Sequence, residues 1–415
     1  MSSKPTVIIG GGVIGTACAY YLAKAGHEVT IVDQGRFAGG CSHANCGYLS
    51  PSHVLPLAAP GAISGTMKAM MSRNSPFSIK PRISPALWSW LLKFSLRCRE
   101  APMMQAGAAR HALLQSSKSL YRKLIEEEQL DCEWEEQGLL FVYRSAHHFE
   151  EYAKTNDLLV REFGVSATPY ADQELTELEP ALKPGLGGAW HYEGDSHLRP
   201  DKLLKSWRSK LESLNVKIIE NCKLQTITSV GASAISIETS TGKISGSNFI
   251  IATGAWTPEL NKILGTQIAI QPGKGYSITM PRPEVCPKIP MILEEHRVAV
   301  TPFQSGYRLG STMEFAGYDT SINEKRIALL RSGAEHYLRE PYCEPEQERW
   351  YGWRPMTVDG LPYIDRTSKW KNVLVAAGHN MLGLSMATAT GKLVSELIND
   401  ETPHIDPAPY RLKGR

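Results

Sequence analysis

The chain has no long apolar run, no block of like charge and no closely spaced cysteine pair. No stretch reaches the ~18 uninterrupted apolar residues of a membrane-spanning helix. The N-terminus lacks the charged-then-apolar design of a signal peptide. The 8 cysteines (18, 41, 46, 98, 132, 222, 286 and 343) never form a CxxC pair. That speaks against a zinc site or a disulfide framework and suits a reducing cytoplasm. The formal net charge of +3 is spread along the chain without a basic tail, so nothing argues for nucleic acid. No internal repeat, metal cluster, nucleophile triad or pair of catalytic carboxylates stands out. What remains is an ordinary globular composition, 42% hydrophobic and 21% charged. At 415 residues the chain exceeds one core, and two domains are expected.

The first thirty-three residues carry the strongest signal. Thr6-Val-Ile-Ile9 reads as a buried strand, Thr16 to Ala25 as a helix, and Val29-Thr-Ile-Val32 as a second strand ending at Asp33. Between the first two lies Gly10-x-Gly12-x-x-Gly15, the dinucleotide fingerprint of a βαβ unit. Gly10 permits the tight turn, Gly12 lets the backbone approach a pyrophosphate, and Gly15 lets the helix pack close. The helix N-terminus offers unpaired N–H groups to phosphate. Asp33, 23 residues after Gly10, suits a free ribose hydroxyl and disfavours NADP. This segment alone leaves NAD and FAD open.

Further along, a small-residue loop at 39–47 and Pro51, Pro56 and Pro60 exclude regular structure. Residues 62–99 interleave Met67, Met70, Met71, Trp88, Trp90, Leu92, Phe94 and Leu96 with Lys68, Arg73, Lys80, Arg82, Lys93, Arg97 and Arg99. Pro85 to Cys98 reads as a helix, either in a core or lying on an anionic membrane. Helices are expected over 108–129, 147–163, about 200–214 and 327–339. Strands at 216–219, 224–227, 234–237, 242–244 and 248–251 precede Ala252-Thr-Gly-Ala-Trp256. Strands at 274–280, 298–301 and 307–310 form a second, antiparallel sheet. Val373 to Ala377 is a strand, and Leu384 to about Asn399 a helix.

The reading is an α/β protein with a discontinuous Rossmann-like domain (1–60, 195–258 and 345–415). An α+β, antiparallel-sheet substrate domain (61–194 and 259–344) is inserted. Two segments separate FAD from NAD. Thr253 and Gly254 allow backbone contact beside a dinucleotide. The turn Gly378-His-Asn-Met-Leu-Gly383 opens a helix whose dipole can face the N1–C2=O edge of a flavin.

Together with Ser42-His-Ala-Asn-Cys-Gly-Tyr-Leu-Ser-Pro51, Ala58-Ala-Pro-Gly61, Gly273-Lys-Gly-Tyr-Ser277 and Gly352-Trp-Arg-Pro-Met-Thr-Val-Asp-Gly360, these residues resemble the D-amino acid oxidase superfamily of FAD enzymes. Within it the chain is most similar to the bacterial D-amino acid dehydrogenases of small-subunit type. The resemblance implies that Arg354 grips a substrate carboxylate, a task suited to a planar guanidinium. It puts Tyr276 in the substrate pocket, as lining or as a partner of the carboxylate, and gives His379 either an electrostatic role or that of a cap on its loop. It puts Val13, Ile14, Gln34, Ser42, His43, Ala44, Asn45, Gly47, Leu224, Trp256, Gly352, Asn380, Met381 and Leu382 beside FAD. Two positions depart from the family pattern: Cys46 replaces a small apolar residue and His43 an aromatic.

The implied reaction is hydride transfer from Cα of a D-amino acid to flavin N5, with D-alanine-like or D-proline- and hydroxyproline-like substrates. Electrons pass to quinone, and the basic 62–99 segment suggests peripheral contact with the cytoplasmic face of the bacterial inner membrane. The alternatives are a glycine- or sarcosine-type oxidase making hydrogen peroxide, a flavoprotein subunit of a larger complex, and an NAD-dependent dehydrogenase.

Overall fold

Strands covered on both faces are mostly apolar, as are the two opening strands apart from Thr6, Glu28 and Thr30. The computed structural model describes residues 4–63, 75, 77–80 and 82–412. In it Pro5–Ile9 and Glu28–Val32 pair in parallel around the Val13–Lys24 helix. Their sheet has six strands, in the order Tyr363–Arg366, Val373–Ala377, Asn248–Ile251, Pro5–Ile9, Glu28–Val32 and Lys217–Ile219. Only the Tyr363–Arg366 edge is antiparallel. Period-two alternation divides the side chains. Ile8, Ile31, Ile250 and Leu374 face the helices Val13–Lys24, Glu100–Glu128, Pro200–Ser213 and Gly383–Asn399. Val7, Ile9, Phe249, Ile251 and Val375 face the three-stranded antiparallel meander Leu224–Ser245.

The second sheet has nine strands. It is antiparallel except at two rungs, where Leu139–Tyr143 runs parallel to Met291–Leu293 and Phe77–Ile79 parallel to Gly306–Phe315. Its edge strand, Glu348–Thr357, pairs along its whole length with Ile270–Met280. That strand falls within the 345–415 segment, which the sequence reading gives entirely to the dinucleotide domain. The register explains the difference: Pro355 lies opposite Pro272, so two residues without an N–H share one rung and the ladder continues on either side.

Two helices also differ from expectation. The one read as 108–129 begins earlier and runs Glu100–Glu128, and the one read as 327–339 is Glu324–Glu335. Pro85–Arg97 is helical as read, with Pro85 in its first turn and Ser84 Oγ accepting from the Leu87 amide at 3.3 Å. Met67, Lys68, Met70, Met71 and Arg73 lie outside the described residues. Among the described residues, no helix is long and apolar enough to cross a membrane.

Candidate active site

One cavity of about 1920 Å³ runs from the C-terminal ends of the parallel strands to the nine-stranded sheet. That is where an open α/β sheet places its ligand. Two helices start at it, Val13–Lys24 and Gly383–Asn399. Neither is capped by its own N-cap residue or has an acidic residue in its first turn, so first-turn N–H groups, that of Val13 on Ser42 Oγ apart, are left for a ligand. Gly10 has φ +111°, and a Cβ there would lie 2.4 Å from the Ala252 carbonyl oxygen. A Cβ at Gly15 would lie 1.9 Å from the Gly10 carbonyl oxygen. The fingerprint glycines thus hold the turn tightly between strand and helix. The Asp33 carboxylate is aimed by two amides, from Gly11 at 2.7 Å and Gly35 at 2.8 Å. Ser42 Oγ accepts from the Val13 amide at 3.0 Å. This cradle, with Ser42 beside its backbone amides and a carboxylate only at its ribose end, fits a dinucleotide.

The loop between Ser42 and Gly47 is fixed by the other sheet. Ser277 Oγ donates to the Ala44 carbonyl at 2.8 Å, Arg308 Nη1 to that of Asn45 at 2.8 Å, and Thr301 Oγ1 to that of Cys46 at 2.6 Å. Three consecutive carbonyls are thereby satisfied by three strand residues. Asn45 Oδ1 accepts from the Gly47 amide at 2.8 Å and closes the loop.

At the far end, Asn380 has φ +54°, and its side chain bonds the Thr357 amide at 2.8 Å and the Gly378 carbonyl at 2.9 Å. It clamps the turn that opens the Gly383–Asn399 helix. His379 is buried against Thr390, with Nε2 and Oγ1 3.0 Å apart. Burial pulls its pKa down to about 3, so the imidazole is neutral at physiological pH.

Arg354 stands in the wall between these elements. It is half-buried, and desolvation lowers its pKa, which the nearby thiols of Cys41 and Cys46 oppose. Nη1 donates to the Thr312 carbonyl at 2.7 Å. No carboxylate pairs with it among the described residues. Ser311 and Thr312 hold φ of +108° and +54°, at a bulge in the pairing with Ile270–Met280. A β-branched residue there is strained, and the strain turns a carbonyl onto the guanidinium. Gly275 leaves room for it, since a Cβ would lie 2.4 Å from Nη1. The ring of Tyr276 lines the cavity, but its hydroxyl donates to Glu314 Oε2 at 2.7 Å. With its one proton so placed, Tyr276 cannot donate to a substrate carboxylate, and the expected lining role is the one the geometry supports.

Most of the expected residues converge on the cavity wall. Gly10, Gly12, Val13, Ile14, Asp33, Gln34, Ser42, Ala44, Asn45, Gly47 and Leu224 line it at one end. Thr253, Gly254, Trp256, Gly352, Asn380, Met381, Leu382 and Gly383 line it further along. Three expected contacts do not. Gly15 and Gly378 are packing positions; a Cβ at Gly378 would lie 2.6 Å from Thr357 Cγ2. The His43 imidazole instead meets Glu348 Oε1 at 2.8 Å. Thr301, Arg308 and Thr312 were not singled out from sequence, and Ser277 entered only as the end of the Gly273–Ser277 motif. Sheet register alone brings Ser277, Thr301 and Arg308 to the loop and Thr312 to Arg354.

Glycine turns, uncapped helix starts and a long cavity ending in an arginine define a flavin-dependent oxidoreductase. The chain matches the family described as DAO, FAD dependent oxidoreductase, over residues 6–397, and it belongs to that family. A D-amino acid dehydrogenase of Paramagnetospirillum magneticum is 31% identical over 402 residues, covering 95% of this chain and 94% of that one. A D-amino acid dehydrogenase of Bradyrhizobium diazoefficiens is 30% identical over 415 residues, with 96% of each chain covered. Among solved structures, glycine oxidase from Geobacillus kaustophilus superposes with a TM-score of 0.78 at 22% identity, covering 100% of both chains. L-Proline dehydrogenase from P. horikoshii superposes with a TM-score of 0.73 at 19% identity, covering 99% of this chain and 96% of that one. These two likenesses show the fold.

Proposed function

We propose that the chain oxidises D-amino acids by FAD-dependent deamination, with the substrate carboxylate held by Arg354. The observation that carries this is the Arg354 guanidinium, which has no carboxylate partner among the described residues yet is oriented by the Thr312 carbonyl. An unpaired cation in a desolvated wall is costly, and a ligand carboxylate completes it with charge-assisted hydrogen bonds. The D-amino acid dehydrogenase names of the relatives support the substrate class. FAD, when bound, supplies the acceptor for the Cα hydride. The fingerprint turn and Asp33 hold its adenosine half, and the 42–47 loop, Thr253 and the 378–383 turn frame the reacting half. Arg354 fixes the substrate so that Cα–H faces that half. Tyr276 and Trp353 enclose it and limit water. The imino acid formed is hydrolysed to a 2-oxo acid and ammonia. In this reading the six-stranded sheet is the cofactor domain and the nine-stranded sheet the substrate domain. A dye-linked reduction screen across D- and L-amino acids, proline derivatives and N-methyl glycines tests the proposal. Turnover confined to N-methyl glycines, with hydrogen peroxide formed, would contradict it.

The Pro85–Arg97 helix supports quinone as acceptor. Its inner side puts Trp90, Leu91 and Phe94 on the cavity wall. Its outer side exposes Trp88, Leu92 and Leu96 at four-residue spacing, with Ile83 beside them. Lys93 and Arg99 are exposed at the same surface. An apolar stripe with tryptophan and basic residues suits the headgroup region of an anionic membrane. One helix would then join the cavity to the cytoplasmic face of the inner membrane.

A further inference from the structure

Beside Arg354 the cavity wall changes character. Gly273 and Gly275 lie two apart on the Ile270–Met280 strand, so they bare one face of it. The Arg354 guanidinium lies over Gly275. Met356, two residues further on the neighbouring strand, lies over Gly273, where a Cβ would come 2.8 Å from Met356 Cγ and 3.5 Å from Met313 Sδ. Met313 itself follows Thr312, whose carbonyl holds Arg354. Two methionines are thus the guanidinium's neighbours along the strands on either side of the glycines.

The Pro85–Arg97 helix covers this corner. Trp90 stacks on Phe94 at 5.1 Å and meets Phe315 at 5.5 Å. Trp90, Met313, Phe315 and Met356 form one buried cluster with Phe94 packed against it, and all five line the cavity. The single N–H among these side chains, Trp90 Nε1, donates to the Met356 carbonyl at 3.0 Å. They therefore offer a ligand apolar contact and no hydrogen bond. Unbranched, polarisable thioethers adapt to the shape set against them, and aromatic rings supply a large contact area. A polar group placed here would lose its water without gaining a partner.

We propose that this corner is the subsite for the substrate's side chain, and that it selects D-amino acids with long or bulky apolar side chains, methionine-, leucine- or phenylalanine-like, over D-alanine. The inference rests on the Arg354 reading, which puts the carboxylate at one end of the corner. With the carboxylate there and Cα–H turned to the cofactor, the side chain runs over Gly273 to Met356 and Met313. Each methylene it buries is worth about fourfold in kcat/KM.

The test compares kcat/KM for D-alanine, D-methionine and D-glutamine in the holoenzyme, with a water-soluble dye as acceptor. Glutamine matches methionine in length but ends in an amide. D-Methionine should exceed D-alanine at least about tenfold, and D-glutamine should fall at least about tenfold below D-methionine. M356Q should cut the methionine-to-alanine ratio at least about fivefold, and M313Q carries this arm if M356Q does not fold. A wild-type ratio of one or less overturns the proposal, as does equal turnover of D-methionine and D-glutamine. An unaltered ratio in the variants also overturns it, and a fall in their reduction of membrane quinone would then assign the corner to the acceptor. The amines 3-methylthiopropylamine and ethylamine repeat the comparison without a carboxylate. If each amine matches its amino acid while the preference for the longer side chain persists, the Arg354 reading fails and the subsite stands.

Discussion

Arg308 donates through Nη1 to the Asn45 carbonyl at 2.8 Å, across 263 residues of sequence. The guanidinium is fully buried, bonds Thr279 Oγ1 at 2.9 Å through Nε and lies over the Phe303 ring. It ties the 42–47 loop to the nine-stranded sheet. Replacing it by alanine leaves the Asn45 carbonyl unpaired, and a hydrogen bond from a charged group contributes about 1.5–3 kcal/mol. R308A should therefore weaken FAD retention by about 10- to 100-fold, read from the fluorescence of released flavin on dilution. Unchanged retention would show that the loop holds its shape without this tie.

Gly275 and Arg354 define a steric prediction. A Cβ at position 275 would overlap the guanidinium. Gly275→Ala should displace Arg354 and raise KM for the amino acid at least about tenfold, the equivalent of about 1.4 kcal/mol. Bound flavin, measured by absorbance, should stay at the wild-type ratio because the substitution lies away from the fingerprint turn.

How much of this was legible in the sequence follows from where each interaction lies in the chain. The glycine fingerprint, Asp33 and the 378–383 turn are local: their residues are neighbours in the chain, and backbone sterics set their spacing. Arg354 was legible through its motif, most of which lies on the Glu348–Thr357 strand. The clamps on Ala44, Asn45 and Cys46 were not legible, because Ser277, Thr301 and Arg308 reach them only through sheet register. The fate of His43 was hidden for the same reason: its partner Glu348 is 305 residues away.

His43 and Glu348 also give a pH prediction. The Glu348 hydrogen bond raises the His43 pKa above its ordinary 6.5, and His43 lowers that of Glu348 below its ordinary 4.5. A raised histidine contributes stability below pH 6.5 that is lost as pH rises through its folded value. A depressed glutamate contributes stability above 4.5 that is lost as pH falls. The pair therefore stabilises most between these limits. Both side chains are partly exposed, so the gain is at most about 1 kcal/mol. H43Q should lower Tm most near pH 5.5 and least above pH 8, by calorimetry. A pH-independent difference would exclude the pair as its source.

The exposed stripe on Pro85–Arg97 gives a test in lipid. Trp88 and Leu92 face outward and do not line the cavity. A Trp88→Ser, Leu92→Ser double variant should lose binding to vesicles containing anionic lipid in a flotation assay. Its reduction of a water-soluble dye should match the wild type, and its reduction of membrane quinone should fall. Equal loss of both activities would place the defect in the fold rather than at the membrane.

The central claim is that Arg354 reads the substrate carboxylate. Its most direct test compares kcat/KM for D-alanine and for ethylamine, which lacks only that carboxylate, in the wild type and in R354A. The wild type should prefer D-alanine strongly, by two charge-assisted hydrogen bonds or about 10²- to 10³-fold. R354A should erase this preference by losing D-alanine turnover while keeping bound FAD. A variant that retains both the preference and wild-type kcat/KM for D-alanine would contradict it.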